Sequence, residues 1–101
     1  MDTWYVYLLR TRNGTLYTGI ATDVERRLSE HGGSTARGAR SLRGKGPLEL
    51  VFRRAIGDRG LAQRVEARIK NLTRDRKEQL IRTDPDADSL LALLALSVCE
   101  G

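Results

Sequence analysis

Two short runs of apolar and β-forming residues open the chain, Trp4 to Arg10 and Leu16 to Ile20, separated by Arg12-Asn13-Gly14. Two such runs around an Asn-Gly turn predict a β-hairpin. The pattern then changes period. Thr22 and Glu25 form a T-x-x-E capping box around Val24 and Leu28, predicting a helix that opens at Thr22 and ends near Gly32-Gly33. Residues 33–47 are rich in Gly, Ser and Arg, close on Pro47, and read as a loop. Leu48 to Ile56 returns to strand character before Gly57-Asp58-Arg59-Gly60 breaks it. Leu61, Val65, Ile69 and Leu72 recur at helical spacing. Thr73 is placed to cap a further helix to about Arg82, which Asp84-Pro85 stops, and residues 88–99 predict a short apolar helix. There is no internal repeat. The order ββαβααα predicts a small α/β (α+β) domain, a three-stranded, mainly antiparallel sheet flanked by helices.

The hairpin turn decides which side chains share a face. A two-residue Asn13-Gly14 loop would put Tyr7 and Tyr17 on opposite faces, because side chains alternate along a strand. A three-residue loop over 12–14 instead places Gly14 in the left-handed position such loops favour. Tyr7 then pairs with Gly19 and Leu9 with Tyr17, so the two phenols become diagonal neighbours on one face. The second register is the one expected here, and it leaves open space at Gly19 where a ligand could approach the backbone. Packing alone would account for each tyrosine taken singly, since aromatic residues are good strand formers.

The first helix sharpens the picture. Val24, Arg27, Leu28 and His31 fall at i, i+3, i+4 and i+7, one helical face. Val24 and Leu28 are the apolar residues that face must bury, so Arg27 and His31 point toward the domain body. A guanidinium there is costly unless it meets an anion. Two explanations stand for each: an anion site, or a structural salt bridge for Arg27 and a cap near the helix C-terminus for His31.

Charge adds a partner class. At 101 residues the chain predicts one domain, with 40% hydrophobic and 31% charged residues, a net charge of +5 and a pI near 10.0. All 18 bases lie in residues 1–83 against 9 acids, giving +9, while 84–101 hold 4 acids and no base. The acid-free stretch from His31 to Leu48 carries Arg37, Arg40, Arg43 and Lys45. A basic body with such a loop suits a polyanion, most often nucleic acid, though a merely solvated surface is the competing explanation. The lone Cys99 excludes a disulfide framework, and the longest apolar run, Leu90 to Leu96, is too short to cross a bilayer. With no signal-peptide pattern at the N-terminus, a cytoplasmic location is expected.

Tyr5-Val6-Tyr7, then Tyr17-Thr18-Gly19, then Arg27, His31, Glu66 within V-E-A-R-I-K, and Lys77 together resemble the GIY-YIG endonuclease superfamily. The likeness covers roughly residues 4–83 and is greatest to its small stand-alone bacterial (YhbQ-like) branch, which is close to the nuclease domain of the excision-repair protein UvrC. It implies a nuclease-like domain over 1–83, with 84–101 adding a C-terminal helix packed on it. It also implies hydrolysis of DNA phosphodiester bonds with one divalent metal, Mg²⁺ or Mn²⁺, in a structure-specific role linked to DNA repair or processing. Tyr7 would help deprotonate the attacking water, Tyr17 would orient that water or a phosphate oxygen, and Arg27 would neutralise the scissile phosphate. His31 would support the tyrosines, Glu66 would be the single metal ligand, and Tyr5 and Gly19 would belong to the structural motif. Arg37, Arg40, Arg43, Lys45, Lys70 and Lys77 would contact nucleic acid, DNA first with RNA left open. The implied state is a monomer or weak homodimer with a repair protein as a candidate partner and no membrane association. A phenol with an ordinary pKa near 10 needs a nearby cation to act as a base at neutral pH, which Arg27 and the metal would provide.

The chain departs from that pattern in three places. Tyr5-Val6-Tyr7 replaces the first tripeptide while keeping its second tyrosine, and Thr18 is expected to be a harmless change in the second. Glu78 stands where many members carry an asparagine twelve residues after the metal glutamate. Other features have simpler explanations. Glu66 and Lys70 form an i,i+4 ion pair, an ordinary surface feature. Asp84, Asp86 and Asp88 have the spacing of a calcium loop, but Ser89 and Ala95 occupy its glycine and glutamate positions, so turn and cap roles are expected. The functional alternative is a nucleic-acid-binding module on the same fold with little or no cleavage.

Overall fold

The structure, a computed structural model, describes residues 2–11, 13–30 and 49–96. Among these residues seven elements follow in the expected order: β1 (Trp4–Arg10), β2 (Leu16–Ala21), α1 (Val24–Glu30), β3 (Glu49–Gly57), α2 (Arg59–Lys70), α3 (Arg74–Thr83) and α4 (Ala87–Leu93). The strands form one antiparallel sheet in the order β2-β1-β3, so the first strand of the chain is its centre. That place suits its sequence, because Val6, Tyr7, Leu8 and Leu9 are all buried and both faces of β1 are covered.

Each face has its own cluster. Val6 and Leu8 pack with Phe52, Leu61, Val65, Ile69, Leu80, Leu90 and Leu91, the larger core that joins the sheet to α2, α3 and α4. Tyr7 and Leu9 face the other way, with Ala21, Val24, Tyr5, Tyr17 and Leu28, a smaller cluster under α1. Arg54 leans over Phe52 on the first face and pairs with Asp84, whereas its neighbour Arg53 turns to the second and pairs with Glu25 of α1.

The hairpin adopts the register of the three-residue loop. Tyr7 pairs with Gly19 and Leu9 with Tyr17, Thr11 N donates to Thr15 O at 2.9 Å, and Gly14 has φ +89°. The space expected at Gly19 is filled. A Cβ built there would stand 2.5 Å from the Tyr7 hydroxyl oxygen and 2.6 Å from Cζ, so the phenol lies flat across the glycine backbone. Glycine here makes room for Tyr7 rather than for a ligand.

Caps explain most helix starts. Asp58, Thr73 and Asp86 accept from the backbone N–H three residues on, opening α2, α3 and α4. At α1 the cap is Asp23, not Thr22: its Oδ1 accepts from Arg26 N at 3.1 Å. The capping box does not form, because Glu25 is drawn to Arg53. The last helix ends earlier than expected, at Leu93. Ala95 takes φ +59° and Leu96 N donates to Leu91 O at 2.8 Å, a Schellman closure that needed no glycine to stop the helix. Asp84 likewise caps α3 in the left-handed region, so Asp84 and Asp86 serve as caps, while Asp88 lies within the first turn of α4.

Glu78 has an evident task. Arg10, at the end of β1, grips it with two hydrogen bonds of 2.7 and 2.9 Å, and Arg74 approaches at 3.4 Å. The pair ties α3 to the sheet through the C-terminal end of β1.

Two outcomes are expected from this packing. Gly19→Ala pushes a methyl group into the Tyr7 ring and should destabilise the fold by about 1–3 kcal/mol, as overpacking does. A thermal melt would register this as a fall of several degrees, and an unchanged Tm would show that the ring has free space to move. The Arg10 hydrogen bonds, chiefly, hold the Glu78 carboxyl at about 2, below its ordinary 4.5. The folded state therefore binds that proton less tightly than the unfolded chain. The stabilisation is present above about pH 4.5 and fades as pH falls toward 2. Melts across that range should show a shallower acid loss for Glu78→Gln than for the wild type.

Candidate active site

β2 is the edge of the sheet, and no strand lies beyond it among the described residues. Along that edge runs a cleft of about 750 Å³, lined by Trp4, Tyr7, the stretch from Tyr17 to Asp23, Arg26 and Arg27 of α1, and Arg59, Gln63 and Glu66 of α2. Residues from both faces of β2 share this lining, so α1 and α2 reach round the strand edge from opposite sides. Gly19 leaves the gap through which the Tyr7 ring crosses.

Tyr7 is only 5% exposed, and its acidity records the neighbours. Burial pushes the phenol above its ordinary pKa of 10.0. The Arg27 guanidinium, hydrogen-bonded to it, pulls the other way without prevailing, and the charge of Glu66 adds to the rise. The protonated phenol is therefore the dominant form of Tyr7 at neutral pH. Its oxygen accepts from Arg27, which leaves its own O–H to donate.

Four of the expected residues thus meet in one cleft: Tyr7, Tyr17, Arg27 and Glu66. Arg27 reaches it from an exposed position on α1, not from a buried one. The Glu66 side chain is 23% exposed, half sheltered, and lies 3.4 Å from Lys70 Nζ, so the surface pairing and the cleft position are both present. Gly19 lines the cleft, whereas Tyr5 packs beneath α1. Lys77 is half-buried on α3 and Lys70 is exposed, and neither lines the cleft. Glu78, clamped by Arg10, does not line it either. His31, Arg37, Arg40, Arg43 and Lys45 lie outside the described residues.

The residues that hydrophobic patterning passed over are Trp4, Arg26, Arg59 and Gln63. Arg59, Gln63 and Glu66 fall at i, i+4 and i+7 of α2, a polar stripe beside the apolar one that the spacing already held. Thr18 also lines the cleft, with its Oγ1 buried and unpaired among the described protein groups.

A hard divalent cation fits this donor set. Among the described residues no three His, Cys, Asp or Glu side chains converge, and Asp23 is occupied as a helix cap. Glu66 is left as the carboxylate facing the cleft. One carboxylate with waters and a substrate phosphate is the coordination Mg²⁺ accepts, whereas a dedicated protein cage would need more ligands.

Comparison with known proteins agrees with this geometry. Residues 3–79 match the model of the GIY-YIG catalytic domain. The UPF0213 protein YhbQ of Salmonella arizonae is 50% identical over 101 residues, covering 100% of this chain and 99% of that protein. A UPF0213 protein of Pectobacterium carotovorum is 54% identical over 82 residues, 81% of each chain. The solution NMR structure of a UPF0213 protein from Bacillus halodurans is similar with a TM-score of 0.53 and 36% identity, covering 94% of this chain and 99% of that one. With its sheet order, its paired tyrosine strands and a family match across most of its length, the chain belongs to the GIY-YIG catalytic domain family.

Proposed function

We propose that this chain is an endonuclease that hydrolyses DNA phosphodiester bonds with one divalent metal, Mg²⁺ or Mn²⁺, on structured DNA met in repair or processing. The observation that carries the reading is the meeting of Tyr7, Arg27 and Glu66 at the edge of β2, where the phenol lies between a guanidinium and a carboxylate. Family membership supports the nuclease class. Metal dependence rests on the chemistry of the donors, and the kind of DNA on the family resemblance alone.

Each residue has a role that suits its chemistry. Arg27 offers planar paired donors to phosphate oxygens and offsets charge as it builds on them. Tyr7, buried and hydrogen-bonded to Arg27, holds the attacking water in line and, in its phenolate form, receives that water's proton. Tyr17 orients that water or a phosphate oxygen from the same wall of the cleft. Glu66 would hold the metal, which when bound supplies positive charge to the phosphate and stabilises the leaving oxygen. Because burial keeps Tyr7 protonated, its basic form is scarce at neutral pH and grows about tenfold for each unit of pH.

A cleavage assay on plasmid, branched and single-stranded DNA, with Mg²⁺, Mn²⁺ or EDTA, tests the reading. Wild type should cut only with metal. Glu66→Ala and Tyr7→Phe should each lose at least about 100-fold in rate while still binding DNA. Cutting that persists unchanged in Glu66→Ala would remove this site from the reaction. No cutting on any substrate, with salt-sensitive binding retained, would make the chain a nucleic-acid-binding module. The pH profile gives a separate check. The rate should rise by about one decade per unit of pH up to the pKa of Tyr7 in the metal-bound protein, and the same slope in Tyr7→Phe would show that Tyr7 is not the proton acceptor.

A further inference from the structure

Trp4 and Arg59 line the same cleft as Tyr7 and Glu66 yet have no part in the chemistry above. Trp4 is the chain's single tryptophan, half-buried at the start of the central strand. The Arg59 guanidinium lies over its ring, 5.5 Å from the centroid, and so covers one face of the indole. The strand partner of Trp4 is Gly57, which has no side chain to cover it.

Position along α2 gives this pair its meaning. Arg59, Gln63 and Glu66 share one helix face, with Arg59 and Glu66 seven residues apart, about 10 Å along the axis. Stacked nucleotides rise about 3.4 Å each, so the Trp4–Arg59 end lies about three stacked nucleotides from Glu66, fewer in an extended strand. An indole and a guanidinium plane are the two side-chain surfaces on which nucleic-acid bases stack. A base inside a duplex cannot use them, because its faces are covered by neighbours and its edge is paired. An aromatic needed only for the core would be placed under α2 with Leu61 and Val65, whereas this one borders the cleft.

We propose that Trp4 and Arg59 form a stacking site for an unpaired base, one to about three nucleotides from the phosphate held near Glu66, so that the preferred substrate is DNA with single-stranded character beside the cut. The placement of the cut rests on the nuclease reading, while the stacking itself does not.

With one tryptophan, intrinsic fluorescence reports on the site directly. The wild-type protein is titrated in EDTA with a DNA hairpin carrying a single-stranded thymidine tail, and with the same hairpin made blunt. Binding is followed in parallel by anisotropy of labelled DNA. Trp4 emission should be quenched by the tailed hairpin and little changed by the blunt one. Trp4→Leu and Arg59→Ala should weaken binding of the tailed hairpin, roughly tenfold for Trp4→Leu, and leave the blunt one unaffected. Trp4→Phe, which keeps a ring, should retain most of the preference, and melts of all three variants establish that they are folded. Equal quenching by both hairpins, bound DNA without quenching, or no binding to either overturns the proposal. Cleavage with Mg²⁺ separates the two readings. Cutting without selective quenching removes the stacking site and leaves the nuclease standing. Selective quenching without cutting leaves a single-strand-binding site and removes the nuclease.

Discussion

The contact between the Tyr7 ring and the backbone of Gly19 is the constraint on which the rest of the site depends. It requires one hairpin register, since a slip of a single residue would turn Tyr7 to the other face of the sheet. It requires glycine as well, because any Cβ at position 19 would stand inside van der Waals contact with the ring. Once both conditions hold, a side chain rooted in the centre of the sheet delivers its hydroxyl toward the outer edge of β2. There it meets Arg27 from one face and the field of Glu66 from the other. The turn between Thr11 and Thr15 thus sets the chemistry of a site built a strand's length away.

Opposed charges act on that phenol, and their balance is informative. A cation near a tyrosine lowers its pKa, yet here burial outweighs the one guanidinium and the nearby carboxylate works against it. The arrangement holds a proton in place and is poised for one further positive charge to change the balance. Glu78 shows the opposite arrangement. Two guanidiniums flank that carboxyl and hold it strongly acidic, Arg10 from the end of β1 and Arg74 from the exposed side of α3. A glutamate at this position therefore does not add negative charge to the cleft.

Much of this was legible in the residues. The caps of α2, α3 and α4 are local, set by a side chain three positions from the N–H it accepts, and the apolar spacing of α2 exposed its buried stripe. The hairpin register followed from turn chemistry alone. What escaped was non-local. Glu25 reads as half of a capping box until Arg53, on a strand far along the chain, takes it away. The open space expected at Gly19 was the right volume assigned to the wrong occupant, because a ring from the neighbouring strand decides it. Trp4, Arg59 and Gln63 were invisible as a group until the fold brought the start of β1 against the start of α2. The end of α4 left no trace in composition, since Ala95 has no breaker character and its left-handed turn is fixed by the Leu96 to Leu91 bond.

The two faces of the sheet differ in how firmly they hold their helices. The larger core joins α2, α3 and α4 to β1 and β3, so Glu66, Gln63 and Arg59 stand on a helix anchored by Leu61, Val65 and Ile69. By contrast, the described residues of α1 rest on Val24 and Leu28, with the Glu25–Arg53 pair as a partly exposed tie. An exposed ion pair adds little, so among the described residues α1 is the less firmly packed wall of the cleft. Arg27 rides on it. An anion that engages Arg27 therefore also fastens α1 to the sheet, and that coupling must appear in the affinity as ordering cost. Tyr17 and Tyr5 gain a second duty from the same geometry: by filling the shallow cluster beneath α1 they fix where the guanidinium can reach. The rigid wall of the cleft carries the carboxylate, the softer wall carries the arginine, and the tyrosine between them is set by the sheet itself.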